Sequence, residues 1–260
     1  MRTTAIFNLK GGVGKTVTTV NLAAELAARD KHIVVIDADA QHNATDFLIG
    51  CSDIAFMLSL KDVLTGSLEL EPRGALYNTN LESVRLLPSD EDLALADLAA
   101  MQQGRMHADA LQKLCSRLAE ESCVDHVLID CPPSFSAATV AALRAADDVI
   151  IPLKIDAFSV KGVATIMRQI REMQEINPRL RVDGVLLTMV DLRTKVSKEG
   201  IRLLDEAKIP RYEAYIRRST LVDASTFFCT PLRVSVPRSQ PAEDYARFAE
   251  EYLRGGAGNG

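Results

Sequence analysis

The string Lys10-Gly11-Gly12-Val13-Gly14-Lys15-Thr16 stands near the start of this 260-residue chain. A strand-favouring run from Thr3 to Asn8 precedes it, and Val17 to Arg29 follows with small apolar residues at helical spacing. Glycines at such a junction let successive backbone N–H groups point inward, at a helix N-terminus whose dipole favours an anion. The order of strand, glycine-rich loop and helix therefore predicts a phosphate-binding loop in an α/β protein.

The loop is a variant of the general pattern G-x-x-x-x-G-K-[ST], because Leu9 stands where the pattern has its first glycine. Lys15 is expected to reach the β- and γ-phosphates of a nucleotide. The Thr16 hydroxyl is expected to join the shell of a Mg²⁺ ion that keeps several waters. Lys10 has no role in an ordinary loop of this kind, so the second lysine needs its own explanation.

Two further apolar runs end in carboxylates. Ile33 to Ile36 leads into Asp37 and Asp39, and the run from Val127 to Ile129 leads into Asp130. Unbroken apolar runs are typical of parallel strands that are buried on both faces, and open α/β sheets bind ligands at the carboxyl ends of their strands. We therefore expect Asp130 to hold the Mg²⁺ through a water.

Strand and helix signals alternate along the rest of the chain, which predicts an α/β fold with a mostly parallel, twisted sheet and helices on both faces. We expect a single P-loop NTPase domain over residues 1–254 and a flexible, glycine-rich tail over residues 255–260. The expected strands are 83–87, 148–153 and 182–190, and the expected helices are 90–103, 106–121, 159–176, 196–207 and 241–254.

The sequence predicts a cytoplasmic protein. The N-terminus does not resemble a signal peptide, and no apolar stretch approaches membrane-spanning length. The cysteines are odd in number and lack the paired spacing of a zinc site, so we expect reduced and mostly buried thiols at Cys51, Cys115, Cys123, Cys131 and Cys229.

Six separated motifs, the loop and five further stretches, carry a resemblance to a known family. They are the loop, the string D-A-D-A-Q-H-N-A-T at 37–45, I-D-C-P-P-S at 129–134, L-T-M-V-D-L-R-T at 187–194, and I-R-R at 216–218 with V-P-R-S at 236–239. In this order they resemble the ParA/MinD group of deviant Walker ATPases. The similarity is strongest to the small ParA (Soj-like) partition ATPases and runs from about Thr3 to Leu253.

The resemblance implies an ATPase that uses ATP and Mg²⁺ and turns over slowly without a partner. Lys10 would cross a dimer interface to the phosphates of the other subunit, and Asp39 would orient the attacking water. Asp37 would support the Mg²⁺ shell or the switch loop, and Thr16 and Asp130 would lie at the metal. The nucleotide would contact Lys10, Gly11, Gly12, Val13, Gly14, Lys15, Thr16, Val17 and Asp39.

The family's partners are also implied. They are a second copy of the chain in the ATP-bound state, nonspecific DNA of the nucleoid, and a ParB-like centromere-binding activator, in the service of plasmid or chromosome partition. No membrane partner is expected.

Four positions depart from the family pattern. Val17 replaces a hydroxyl residue, and Ala40 and His42 replace the Pro and Gly of the switch string. Arg217 replaces the proline of I-P-R, so Arg217 and Ser219 are candidates for adenine contacts in its place.

Charge divides unevenly along the chain. Residues 1–159 carry 13 Lys and Arg against 22 Asp and Glu, whereas residues 160–240 carry 15 against 9. In the family, basic residues of this second region bind DNA phosphates without reading sequence. The candidates are Arg193, Lys195, Lys198, Arg202, Arg217 and Arg218, for each of which an ordinary charged surface is the alternative.

Three other functions of the same core stay open at this point. A MinD-like ATPase needs an amphipathic membrane anchor, whereas the segment from Glu243 to Arg254 has four acids and resembles a helix packed on the core. An electron-transfer ATPase like the nitrogenase iron protein needs cluster cysteines, and Cys131 belongs instead to the I-D-C-P-P-S match. A relative that positions a protein assembly has the same motifs.

Overall fold

The sheet contains eight strands in the part of the chain that the structure describes. The structure is a computed structural model that describes residues 1–50, 58–66, 72–103, 107, 109–121, 123–156 and 159–258. The strands lie in the order β3-β4-β2-β5-β1-β6-β7-β8, and all neighbours are parallel except β3 and β4. Their bounds are β1 Arg2–Ile6, β2 Ile33–Asp37, β3 Tyr77–Asn78, β4 Val84–Leu87, β5 His126–Asp130, β6 Asp148–Lys154, β7 Arg181–Val190 and β8 Arg211–Arg217.

Helices cover both faces of the sheet. Their bounds are α1 Lys15–Ala27, α2 Asn43–Ile49, α3 Leu60–Thr65, α4 Asp92–Gln103, α5 Ala110–Glu120, α6 Ala137–Ala145, α7 Ser159–Gln174, α8 Lys195–Glu206, α9 Thr220–Phe227, α10 Leu232–Ser235 and α11 Gln240–Leu253. Helices α1, α2, α10 and α11 contribute to one apolar core, and α3 to α8 contribute to the other. The expected α/β fold with a mostly parallel sheet is confirmed.

The expected elements are present with ends displaced by a few residues, and the start of the helix expected at 106 lies outside the described residues. The short elements α2, α3, β3, α9 and α10 and the strand β8 were not expected. The sequence of β8, R-Y-E-A-Y-I-R, has only two fully buried positions, Tyr212 and Ile216, because this strand lies at the edge of the sheet. An edge strand lacks the unbroken apolar run that marks the central strands.

The acidic face of α11 covers the free edge of β8. The Glu251 carboxylate accepts hydrogen bonds from the backbone N–H groups of Glu213 at 2.8 Å and Ala214 at 3.0 Å. The opposite face of α11 buries aromatic side chains at Tyr245, Phe248 and Tyr252. This helix is therefore packed on the core, as its sequence predicts, and its acids satisfy donors that a further strand would otherwise take up.

The expectation that all five cysteines are reduced is wrong, whereas the flexibility expected of the tail stays a prediction. Gly256 is buried in a 3-10 turn, Gly256–Gly258, that packs on β7, so the described part of the tail is held against the sheet. Cys115, Cys123 and Cys131 are free thiols as expected, but Cys229 is disulfide-bonded. Sequence spacing alone does not show which thiols form a disulfide or where a glycine-rich segment packs. Cys51 lies outside the described residues. Among the described residues, no helix is both long and apolar enough to span a bilayer.

Replacing Glu251 by Ala is expected to lower the free energy of unfolding by about 1–3 kcal/mol, because two N–H groups at the edge of β8 lose their acceptor. Urea unfolding followed by circular dichroism measures the change. The control is Glu250→Ala on the same helix, because the ion pairs of Glu250 with described residues are long and at the surface, at 3.6 Å to Arg29 and 3.8 Å to Arg254. This control is expected to change stability by less than about 1 kcal/mol. Equal effects of the two variants would contradict the edge-covering role.

Candidate nucleotide site

The glycine-rich loop runs from the end of β1 into the first turn of α1. Gly12 and Gly14 have φ angles of +69° and +88°, a left-handed backbone that residues with a Cβ rarely adopt. Gly14 is the N-cap of α1, so the loop delivers its N–H groups to the positive end of the helix dipole. The Thr188 hydroxyl of β7 donates to the Val13 carbonyl at 2.8 Å and ties the loop to a distant strand. The backbone thus has the shape that a phosphate chain requires.

Asp130 lies beneath this loop, at the carboxyl end of β5 and beside the ends of β1 and β2. Its carboxylate accepts hydrogen bonds from the Thr16 hydroxyl at 2.7 Å and from the Thr19 hydroxyl at 3.1 Å. A hydroxyl on the first turn of the helix and a carboxylate at its side are hard oxygen ligands, which Mg²⁺ prefers. Thr16 and Asp130 therefore fit the metal position that their sequence context predicts.

Charge in this pocket is concentrated and shielded from solvent. The Lys15 side chain is 7% exposed, and burial lowers its pKa while Asp130 and Asp39 oppose the shift. Burial and the nearby charge of Asp37 raise the pKa of Asp130 to about 8. The ammonium of Lys15 lies among the carboxyl groups of Asp130, Asp39 and Asp37, so a bound divalent cation and a phosphate chain would enter a pocket already rich in charged groups.

Asp37 organises the loop between β2 and α2, which we call the switch loop, residues 37–45. Its carboxylate accepts from the backbone N–H groups of Asp39 and Thr45, at 3.1 and 2.8 Å, and from the Thr45 hydroxyl at 2.8 Å. Of the two roles expected for Asp37, its contacts favour support of this loop. Asp39 is half-buried and accepts the Gln41 N–H at 3.0 Å.

His42 explains one departure from the family pattern. Its φ angle is +43°, in the left-handed region where the resembling sequences have glycine, and it is the N-cap residue of α2. The ring Nδ1 lies 3.1 Å from a carboxylate oxygen of Asp46, one turn further along the helix. This local contact stabilises a conformation that glycine adopts without a side chain.

Lys10 points away from the interior of its own loop. Its side chain is 50% exposed and its Nζ pairs with the Asp156 carboxylate, two residues beyond the end of β6. Its backbone N–H donates to the Asn8 side chain at 2.9 Å, which fixes the start of the loop. The two lysines of the loop thus occupy different environments, one buried at the expected phosphate position and one at the surface.

The adenine candidates have partners within the chain. The Arg217 guanidinium makes two hydrogen bonds of 2.7 Å to Asp244 and one of 2.6 Å to Gln240. The Ser219 hydroxyl accepts the Leu221 N–H at 3.2 Å and caps α9. Adenine contacts by Arg217 and Ser219 stay a prediction. To contact adenine, each side chain would either keep its present hydrogen bonds or exchange them for bonds to the base.

The basic candidates fall into two groups. Arg193 pairs with Asp191, Arg202 pairs with Glu199 and Glu206, and Arg217 pairs with Asp244. The second group has no carboxylate at ion-pair distance among the described residues and is exposed; it consists of Lys195, Lys198 and Arg218. Unpaired cations keep their full charge for an anionic partner, so this second group is favoured over the first.

Three residues of the site were not expected from the sequence. Thr19 lies one turn after Thr16, a spacing that could have indicated its approach to the same acid. Asp156 follows an apolar strand, as Asp37 and Asp130 do. Thr188 belongs to a string that resembles the family, yet its contact with the loop joins residues 175 positions apart. No local sequence pattern indicates such a contact.

Comparison with known proteins agrees with the motifs. A family described as an AAA domain matches residues 1–182. The chromosome partitioning protein ParA of Caulobacter vibrioides is 34% identical over 97% of this chain and 94% of its own length. The chain belongs to the ParA/MinD family of ATPases. The sporulation initiation inhibitor protein Soj of Bacillus subtilis is 32% identical, with 97% of this chain and 98% of Soj covered.

A solved structure supports the fold of this ParA-type ATPase. It is described as cobyrinic acid a,c-diamide synthase from Mycobacterium smegmatis with bound ATP analog and magnesium. The two share 33% identity and superpose with a TM-score of 0.81 over 98% of this chain and 95% of that one. The similarity extends from β1 to α11, so the loop and the three acids lie within the shared fold.

In the apo protein without Mg²⁺, the proton on Asp130 is expected to contribute stability that is lost as the pH rises from about 4 to about 8. Folded Asp130 keeps its proton up to a pKa of about 8, whereas the unfolded chain releases it near 3.8. The stability that the proton on folded Asp130 contributes is therefore fully present below pH 4 and is lost as the pH rises through 8. Asp130→Asn, which cannot ionise, is expected to flatten this dependence.

Urea unfolding at pH 5 and pH 8 in the presence of a chelator measures the effect. Asp223→Asn, at an exposed position, is the control and should leave the pH dependence unchanged. If Asp130→Asn loses as much stability between the two pH values as the parent, the assignment of a raised pKa to Asp130 is wrong.

Proposed function

We propose that this ParA-type ATPase is a nucleotide-gated switch. It binds ATP with Mg²⁺, pairs face to face with a second copy while ATP is bound, and binds DNA nonspecifically as that dimer. A ParB-like centromere-binding partner then stimulates hydrolysis and releases the complex. The observation that carries this proposal is the division between buried Lys15 and exposed Lys10 within one loop.

The nucleotide part of the proposal is supported by the loop and its acids. Lys15 neutralises the β- and γ-phosphates, the N–H groups of the loop surround them, and Thr16 with Asp130 holds the Mg²⁺. The similar Mycobacterium smegmatis structure, described with an ATP analog and magnesium, supports the same ligands here. The metal supplies charge that offsets the developing charge on the phosphoryl group.

The dimer part of the proposal uses the surface lysine. In the single chain, Lys10 is neutralised by Asp156, and the pair is exposed enough for a stronger anion to compete. A triphosphate on a facing subunit carries more negative charge than one carboxylate, and a diphosphate lacks the γ-phosphate. Lys10 would therefore exchange Asp156 for the facing subunit's phosphate only in the ATP state.

Hydrolysis would depend on the half-buried Asp39 at the tip of the switch loop. Its carboxylate is held near the pocket by the contacts of Asp37, and it would orient the attacking water rather than take its proton. Phosphoryl transfer relies chiefly on positioning and charge stabilisation, so small movements of the switch loop would change the rate. A partner that contacts this loop would stimulate turnover in this way.

Lys10→Ala is expected to keep Mg²⁺-dependent ATP binding within about threefold while abolishing ATP-dependent dimerisation and DNA binding. Lys15→Ala is the matched variant and should lose ATP binding itself, by about tenfold or more, because it removes the buried cation from the phosphates. Fluorescent-nucleotide titration and light scattering measure the two properties. Normal dimerisation of Lys10→Ala would contradict the proposed role of this lysine.

The DNA part of the proposal is supported by the unpaired cations on and near α8. The double variant Lys195→Gln with Lys198→Gln is expected to weaken ATP-dependent DNA binding and to reduce the slope of log K against log salt by about 2. Arg202→Gln on the same helix is the control, since Glu199 and Glu206 already neutralise this arginine. It should change the slope by less than about 0.5. Equal effects, or binding that needs no ATP, would contradict the assignment.

The cargo is proposed from the relatives. Caulobacter vibrioides ParA is named a chromosome partitioning protein, which supports a role in chromosome or plasmid partition here. Membrane positioning has less support, because α11 buries its aromatic residues in the core and directs its acids to β8. Sedimentation with anionic vesicles and ATP separates these two roles, and no sedimentation is expected.

A further inference from the structure

The end of α9 exposes a pair of aromatic side chains. Phe227 is 81% exposed and Phe228 is 70% exposed, and their rings meet edge to face with centroids 5.1 Å apart. Leu221, two turns before Phe228 on the same face of the helix, is 39% exposed. Single exposed apolar residues are ordinary, but adjacent aromatic residues that support one another form a patch. We call Leu221, Phe227 and Phe228 the aromatic patch.

The aromatic patch lies at the edge of the sheet that carries the nucleotide site. Helix α9 begins directly after the carboxyl end of β8 and leads into α10, which packs beside α1. Leu232 of α10 is fully buried, and its N–H donates to the Asn21 side chain of α1 at 2.9 Å. Within α9 itself only Ser225 is buried. The helix therefore projects from a fixed support on the side of the loop.

The chemistry of the aromatic patch suits contact with its own copy. Asp223 is the one charged residue in the α9 sequence, so two patches brought together by a twofold axis would meet little charge repulsion. Aromatic side chains of this size bury about 150–250 Å² each. Two of them would supply a substantial part of the roughly 800 Å² per partner that a stable interface needs. The three side chains of the aromatic patch carry no charge that would pair with DNA phosphates, whereas the exposed cation Arg218 lies just before α9.

We propose that the aromatic patch is an apolar anchor of the ATP-bound dimer, and that its occupant is the facing subunit of a second copy of this chain. This inference rests on the proposed face-to-face dimer. If Lys10 reaches a phosphate on the facing subunit, the two carboxyl edges of the sheets must approach each other. Helix α9 then projects into or beside the interface, where water would be excluded from Phe227 and Phe228.

The test compares three proteins in the presence of Mg²⁺ and the slowly hydrolysed analogue ATPγS. They are the parent, the double variant Phe227→Ser with Phe228→Ser, and a control that removes two other exposed apolar side chains from α4, Leu95→Ser with Leu98→Ser. Sedimentation equilibrium gives the dimer dissociation constant, and a fluorescent ATP analogue at low protein concentration gives the nucleotide affinity of the monomer. The Phe variant is expected to weaken dimerisation at least tenfold with nucleotide affinity changed less than twofold. The Leu control should dimerise like the parent.

Each other outcome overturns the inference. If the parent dimerises and the Phe variant dimerises equally well, the aromatic patch lies outside the interface while the proposed function stands. If the parent itself does not dimerise, the proposed dimer fails and this inference fails with it. If the Phe variant loses nucleotide affinity by the same factor as dimerisation, the patch belongs to the nucleotide pocket. If it dimerises normally but loses binding to phosphatidylglycerol vesicles that the parent shows, the occupant is a lipid surface.

Discussion

The buried carboxylate of Asp130 is the interaction on which the rest of the site depends. It stands in register with Asp37 of β2 and Ile6 of β1, so three strand ends meet around it. A buried acid needs hydrogen-bond donors, and here they come from the first turns of α1, at Thr16 and Thr19. These bonds fix the helix over the sheet and so fix the loop that leads into it. Thr16 is both one of these donors and an expected metal ligand. The contacts that stabilise the fold therefore also position a residue of the metal site.

The charge balance around this acid gives the two lysines their separate roles. Lys15 is enclosed beside Asp130 and Asp39, and both acids oppose the lowering of its pKa by burial. Lys10 lies at the surface and pairs with Asp156. A buried charge is held in one place by its environment, whereas an exposed ion pair is worth little and can exchange partners. The fold thus places one lysine of the loop in a buried pocket and the other in an exposed ion pair, and the proposed switch rests on this division.

The central strands, the loop and α1 could be predicted because each has a local signal. An unbroken apolar run such as Ile33 to Ile36 marks a strand buried on both faces, and glycine marks the left-handed turns at 12 and 14. Helix α9 and strand β8 have no such signal, since they lie at the edge and bury few residues. The partners of Lys10 and Arg217 could not be predicted either. Asp156 and Asp244 meet them through the fold, across 146 and 27 residues of sequence.

Lys10 is proposed to couple occupancy of one nucleotide site to a second subunit. The most direct measurement is a high-resolution structure of the Asp39→Ala variant with Mg²⁺ and ATP, at a protein concentration where dimers would form. We expect two chains face to face, with Lys10 Nζ released from Asp156 and at hydrogen-bond distance from a phosphate oxygen on the facing subunit. A structure in which ATP occupies the loop while Lys10 still pairs with Asp156 of its own chain would contradict this role of Lys10.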